Sequence, residues 1–234
     1  MKKCRRIVSL LLACVMLAVC GAAAFADETS GLTLKYPKPG SWFTMGDEDL
    51  GEYYNIAIKV PCKGTVTISA EIDEDLVSGE TAQTTCPQQY CLKKVKTESS
   101  VYWNGYVKNG TFFTKTVSAG EYSFYTVFPD GKYKWTFTPA ATAVTSVKNA
   151  STKSVTVKWK KIAGVTGYQI QYSLKSSFSS AKTVTVAKAS AVSKKITGLT
   201  KGKRYYVRVR TYCTINGKKC CSKWSAKKSV KVTK

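Results

Sequence analysis

From Ala141 onward, apolar and polar residues alternate in short runs, and no stretch of this region carries apolar residues at helical spacing. Side chains alternate between faces along an extended strand, so a period of two buries one face and wets the other. Val155, Val157 and Trp159 fall on one side, Thr156 and Lys158 on the other. In GVTGYQIQY, Tyr168, Ile170 and Tyr172 share a face, and KKITGLTKGKRYYVRVRTY and KKCCSKWSAKKSVKVTK continue the pattern. About 95 residues holding roughly seven such runs predict a β-sandwich of immunoglobulin-like architecture.

The preceding region has the same period. Ile56, Ile58 and Val60 alternate with Ala57 and Lys59; Val66, Ile68, Ala70 and Ile72 alternate with Thr67, Ser69 and Glu71. Later, SAGEYSFYTVFPDGKYKWTFTPA reads as a strand, an Asp130-Gly131 hairpin turn and a second strand with Tyr133, Trp135 and Phe137 on one face. The expected fold class is therefore all-β: two β-sandwich domains in tandem, joined through a linker over Thr138 to Thr142. The expected boundaries are 1–26, 27–139 and 140–234.

Residues 1–26 read as a secretory signal peptide. Lys2, Lys3, Arg5 and Arg6 precede an apolar run from Ile7 to Val19, and Ala24-Phe25-Ala26 offers small residues at both positions a signal peptidase reads. The run falls short of the ~20 residues a membrane span needs. A lipoprotein signal ending at Cys20 is the rival, with bulky Val19 against it. The expected location is secreted, at a bacterial cell surface or outside it, with no transmembrane segment in the mature chain.

Charge divides sharply along what remains. Every Asp and Glu lies between Asp27 and Asp130; residues 27–140 carry 11 Lys and Arg against 14 acids, residues 141–234 carry 22 Lys and Arg and no acid. So strong a positive field draws anionic polymers and is screened by salt.

SVTVKWKKIAGVTGYQIQYS, ITGLTKGKRYYVRVRTY and SKWS together resemble the fibronectin type III domain, in the Lys-rich form of exported Gram-positive proteins. The resemblance covers residues 141–234. It implies core roles for Trp159, Tyr168 and Leu199, and makes Tyr205 the corner tyrosine. Lys201 stands where the family often has Pro, and the Arg-Gly-Asp adhesion triplet is missing. The first domain is only weakly similar to jelly-roll modules of secreted bacterial enzymes.

An inward Tyr205 puts Val207, Val209 and Thr211 inward as well. Arg204, Tyr206, Arg208, Arg210 and Tyr212 then share the outer face, with Gln169 and Gln171 on the neighbouring strand. Asn216-Gly217 predicts a type I′ hairpin turn. That register sets Arg210 opposite Lys223, Tyr212 opposite Cys221 and Cys213 opposite Cys220, and brings Lys219 to the outer face. A Cys213–Cys220 disulfide is expected, at a hydrogen-bonded cross-strand site with Cα atoms about 5.5 Å apart.

Six cysteines outlast the leader, three per domain, so either one bridge crosses domains or two thiols stay free. Cys86 and Cys91 in CPQQYC are a second candidate pair, or one of them is a partner for Cys62. No metal site is expected: zinc would need a fourth ligand in a chain without histidine, and the acid clusters Asp47-Glu48-Asp49 with Glu52 and Glu71 with Asp73-Glu74-Asp75 lack regular calcium-loop spacing. Without histidine there is neither a Ser-His nor a Cys-His nucleophile, and no phosphate loop or nucleophile elbow occurs. The sequence thus favours a non-catalytic, cofactor-free binding protein, in which Arg204, Tyr206, Arg208, Arg210, Tyr212, Lys219 and Lys223 contact anionic wall or extracellular polymers. Nucleic acid is not expected of an exported protein. The alternative partner is carbohydrate, stacked on Trp42, Phe43, Tyr53, Tyr54, Tyr102, Trp103 or Tyr106, with the second domain as spacer.

Overall fold

The computed structural model describes residues 34–44, 46–47, 52–53, 55–72, 89–94, 102–106, 109–126 and 131–234. Among them every regular element is a strand. Residues 1–26 with Cys20, and Tyr54, Cys86, Glu48, Asp49 and Asp73 to Asp75, lie outside the described residues. The chain forms two compact units: residues 1–59, 66–115 and 120–136, and residues 60–65, 116–119 and 137–234.

Eleven strands run through the earlier part of the chain: β1 (Leu34–Lys35), β2 (Trp42–Thr44), β3 (Gly46–Asp47), β4 (Glu52–Tyr53), β5 (Asn55–Val60), β6 (Gly64–Glu71), β7 (Gln89–Lys94), β8 (Tyr102–Tyr106), β9 (Gly110–Val117), β10 (Gly120–Thr126) and β11 (Lys132–Pro139). They form sheets ordered β1-β5-β10-β7-β8 and β2-β11-β6-β9, beside the small pair β3-β4. The period-two reading of β6 holds residue by residue: Val66, Ile68 and Ala70 are buried between half-exposed Thr67 and Ser69. In β5, Ala57 is buried along with Ile56 and Ile58, as in a strand covered on both faces.

The Asp130-Gly131 expectation needs correction. β10 and β11 belong to different sheets and do not pair as the two arms of a hairpin; Asp130 itself lies outside the described residues. The cause lies in the aromatics, which pack across the sandwich rather than along one sheet. Phe124 of β10 meets Tyr133 of β11 edge-on with ring centroids 5.6 Å apart, and Phe112 contacts both rings. Trp135 and Phe137 continue this buried face, and the Trp135 indole N–H donates to the Pro37 carbonyl at 3.1 Å.

The second unit holds β12 (Val144–Ser151), β13 (Ser154–Trp159), β14 (Gly167–Ser173), β15 (Lys182–Val186), β16 (Ser193–Ile196), β17 (Arg204–Ile215), β18 (Lys218–Cys221) and β19 (Lys228–Lys231). One sheet is β12-β13-β16; the other is β15-β14-β17-β18, with β19 also paired to β17. Between the sheets lie Val155, Val157 and Trp159, Tyr168 and Ile170, and Tyr205, Val207 and Val209, all buried. Burying a Val, Ile or aromatic side chain contributes roughly 1.5–3 kcal/mol each, which makes this apolar layer the main source of stability. The Tyr205 hydroxyl accepts the Thr200 N–H at 3.1 Å, tying the start of β17 to the loop before it. Leu199 is buried beneath that corner.

Strand β17 is 12 residues long and serves two partners on one edge: β19 along its first half, β18 along its second. The Asn216-Gly217 turn has φ of +47° and +78°, as a type I′ turn requires. The β17–β18 register follows from it, with Tyr212 opposite Cys221 and Cys213 opposite Cys220.

Candidate functional site

The outer side of β17 presents Arg204, Tyr206, Arg208 and Arg210 at alternate positions, Arg204 exposed and the others half-buried. Across the sheet, β14 sets Gln171 opposite Arg208 and Gln169 opposite Arg210. Each glutamine carbonyl oxygen accepts from the facing Nε–H, at 2.7 Å for Arg208 and 2.8 Å for Arg210.

On the other edge the chain leaves regular pairing after Cys221 and rejoins it at Lys228. Two serines bridge the gap. The Ser222 N–H donates to the Thr211 carbonyl at 3.0 Å while its hydroxyl accepts the Thr211 N–H at 3.1 Å. Ser225 does the same for Val209, at 2.8 and 3.0 Å. With a hydroxyl standing in for a carbonyl at each step, β17 keeps its hydrogen bonds although no strand lies beside it. Trp224 is carried between these anchors onto the arginines. Its ring lies 4.3 Å from the Arg210 guanidinium carbon and 4.9 Å from that of Arg208, and Arg208 also sits 4.0 Å from the Phe178 ring. The result is a stack of Phe178, Arg208, Trp224 and Arg210.

The stack fixes the guanidiniums without neutralising them. Burial lowers the Arg208 pKa, and the neighbouring Arg210 cation lowers it further, yet a guanidinium stays charged in any protein setting. The hydrogen bonds to the two glutamines use Nε of each guanidinium. Cations also surround the stack. Lys219 Nζ lies 4.8 Å over the Tyr212 ring, Lys227 Nζ 5.9 Å over Tyr206, and Arg204 Nη1 donates to the Ser229 hydroxyl at 3.1 Å. No Asp or Glu side chain occurs anywhere in the residues of this unit.

Two expected site residues are corrected. Tyr212 is on the outer side but only 4 % exposed, because Gly167 stands opposite it and its ring fills the space a side chain would occupy there. Lys223 is exposed but lies in the irregular stretch after Cys221, where Ser222 and Ser225 replace strand pairing, so it does not continue the sheet opposite Arg210. Trp224 and Phe178 are functional candidates that strand periodicity missed. The signal for Trp224 is Ser-Lys-Trp-Ser itself, two serines three apart around an aromatic; Phe178 has none, being held at a φ of +62° in a loop.

Of the cysteines with described side chains, Cys62, Cys213 and Cys220 are buried thiols and Cys221 is a half-buried one. Cys91 is described only as part of strand β7. In the first unit, Trp42 is 40 % and Tyr36 49 % exposed, flanking an open cleft of about 450 Å³ that Phe43 and Ile56 also line. Lys134 Nζ lies 4.0 Å over the Trp42 ring.

Two sheets packed face to face, a corner tyrosine and an outer face offering fixed charges together define a binding or scaffold module. The fibronectin type III domain model matches residues 139–226, so this part of the chain is a fibronectin type III domain. Solved structures similar to the chain include the fn3 domain of human contactin 1, at 22 % identity over 41 % of this chain and 78 % of that one, with a TM-score of 0.36. An Fn3-like protein from Clostridium thermocellum is 23 % identical over 39 % of this chain and 90 % of that one, with a TM-score of 0.32. A myokine structure is 19 % identical, covering 42 % of this chain and 100 % of its own, with a TM-score of 0.34. No curated protein matches the chain. Among the described residues no helix is long and apolar enough to cross a membrane.

Proposed function

We propose that the chain is an exported, non-catalytic binding protein of a bacterial surface, whose fibronectin type III domain holds anionic wall or extracellular polymers. The observation that carries this reading is the stacked pair Arg208 and Arg210. Two like charges are held side by side by Trp224, Phe178 and two glutamines, in a unit with no carboxylate side chain to offset them. Such an arrangement costs electrostatic repulsion in the free protein and is relieved when phosphate or sulfate groups dock on the Nη forks. Arg204, Lys219 and Lys223 extend the field around it.

The test is co-sedimentation of the purified chain with isolated Gram-positive cell walls over a salt series, with walls stripped of teichoic acid in parallel. Retention should fall as salt rises and disappear on stripping. An Arg204→Gln/Lys223→Gln variant, which leaves the stack in place, should detach at lower salt than the unaltered chain. Retention indifferent to salt, stripping and this variant would overturn the reading.

A second reading rests on Trp42 and Tyr36, whose exposed rings flank the open cleft of the first unit and suit stacking against sugar faces. It predicts salt-independent binding of neutral polysaccharide that a Trp42→Ala variant abolishes.

A further inference from the structure

We infer that Cys62 and Cys213 are a disulfide-forming pair, and that Cys220, although opposite Cys213 in the hairpin, remains a thiol. Three independent observations carry this.

The first is the sulfur geometry. The two Sγ atoms lie 3.2 Å apart in buried surroundings, although the residues are 151 positions apart in sequence. A disulfide needs about 2.05 Å, so the sulfurs stand only about 1 Å beyond bonding distance.

The second is that the backbone around the pair is fixed without help from the thiols. The turn 60–65 packs within the second unit. The Ala140 N–H donates to the Lys63 carbonyl at 2.9 Å, and the Thr211 hydroxyl donates to the Ala140 carbonyl at 2.7 Å. A chain of hydrogen bonds thus runs from the residue after Cys62 to the residue two before Cys213. On the other side the Pro61 carbonyl comes so close to Gly164, at φ +74°, that any side chain there would collide with it. The turn is confined between that glycine and β17.

The third concerns the competitor. The Ser222 N–H bonds the Thr211 carbonyl, so Cys213 and Cys220, two residues further along the same register, face each other at a hydrogen-bonded site. A bridge there closes with less relaxed geometry. Among the described residues no three Cys, Asp or Glu side chains converge as a metal site requires. The hydrogen bond from the Cys213 thiol also lowers the Cys62 pKa, favouring Cys62 as the attacking thiolate.

The chemistry is thiol–disulfide exchange with an external disulfide. The Cys62 thiolate attacks one sulfur of the oxidant, forming a mixed disulfide and expelling one thiolate. Cys213, giving up its proton, attacks the Cys62 sulfur and expels the second. One S–S bond is lost in the oxidant and one forms in the protein; two electrons pass to the oxidant, and the two thiol protons end on its two released thiols. Both sulfurs being buried, exchange occurs as the turn settles onto β17 during folding, and the finished bond is shielded from reductant.

Tryptic mapping distinguishes the pairings, because Lys218 and Lys219 separate Cys213 from Cys220. The full mature chain, refolded in a mixture of oxidised and reduced glutathione and alkylated in acid, should yield peptide Val60 to Lys63 joined to peptide Thr211 to Lys218. Cys220 should be recovered alkylated. A Cys220→Ser variant should give the same linked pair. A Cys62→Ser variant should fold, and its unfolding midpoint, unlike that of the unaltered chain, should not move on adding reductant. Peptide Thr211 to Lys218 joined to Cys220 to Lys223, any other partner for Cys62, or full alkylation of both cysteines after oxidative refolding would overturn the assignment.

Discussion

Replacing Trp224 with leucine would measure what the stacked arginines gain from it. The substitution keeps an apolar side chain between Ser222 and Ser225 but removes the aromatic faces that lie 4.3 and 4.9 Å from the two guanidinium carbons. Cation–aromatic contacts contribute about 0.5–1 kcal/mol each when partly exposed. Two such contacts give about 1–2 kcal/mol, and the repulsion between Arg208 and Arg210 is left without its intervening ring. For a unit of this size that lowers the melting temperature by about 5–15 °C. Denaturant unfolding of Trp224→Leu, Arg210→Met and the double variant yields the coupling directly. It should be about 0.5–1 kcal/mol and should survive high salt, since ring faces are not screened as surface ion pairs are. A coupling indistinguishable from zero would show that the ring and the cation are merely adjacent, and would remove the argument that the guanidiniums are held in place for a ligand.

Other outcomes follow from single contacts. Gly167→Ala should destabilise by about 1–3 kcal/mol, as overpacking does, because a β-carbon there strikes the Val186 carbonyl and comes 3.0 Å from the Tyr212 ring; equilibrium unfolding reads this. Tyr205→Phe should cost roughly 1 kcal/mol in the same assay by leaving the Thr200 N–H without its acceptor. In the native protein Cys220 should react with iodoacetamide far more slowly than half-buried Cys221 at pH 8, since burial pushes the Cys220 thiol pKa up and keeps the reactive thiolate scarce. Equal labelling of the two would show that Cys220 is not enclosed as described.

What could be read in advance was local. The alternation in β17, the Asn216-Gly217 turn and the resulting register need only neighbours in sequence and the two-residue period, and they recur in the structure. So do Gln169 and Gln171 beside the arginines, because β14 carries the same period. What escaped depended on encounters that no period encodes. Tyr212 is buried because a glycine stands opposite it, a fact visible only with the β14 register in hand. The Asp130-Gly131 signal is a sound turn signal, but whether two strands pair or part into different sheets depends on where their aromatic faces find partners, here Phe124 against Tyr133. Trp224 reaches the arginines only because the edge strand breaks. Cys62 meets Cys213 across 151 positions, where nothing in the intervening chain announces the meeting.

Fibronectin type III domains are matched as uninterrupted stretches of sequence, here residues 139–226. The compact unit in this chain is written in three places, at 60–65, 116–119 and 137–234. That changes its heredity. A gene segment starting at residue 139 could be copied into another protein, but it would arrive without Pro61 to face Gly164, without Lys63 to bond Ala140 and without the thiol that meets Cys213. Such a module is not freely portable. Its upstream turn and its downstream strands are inherited as a set, and a substitution at Gly164 is answerable to Pro61, far upstream of the matched segment.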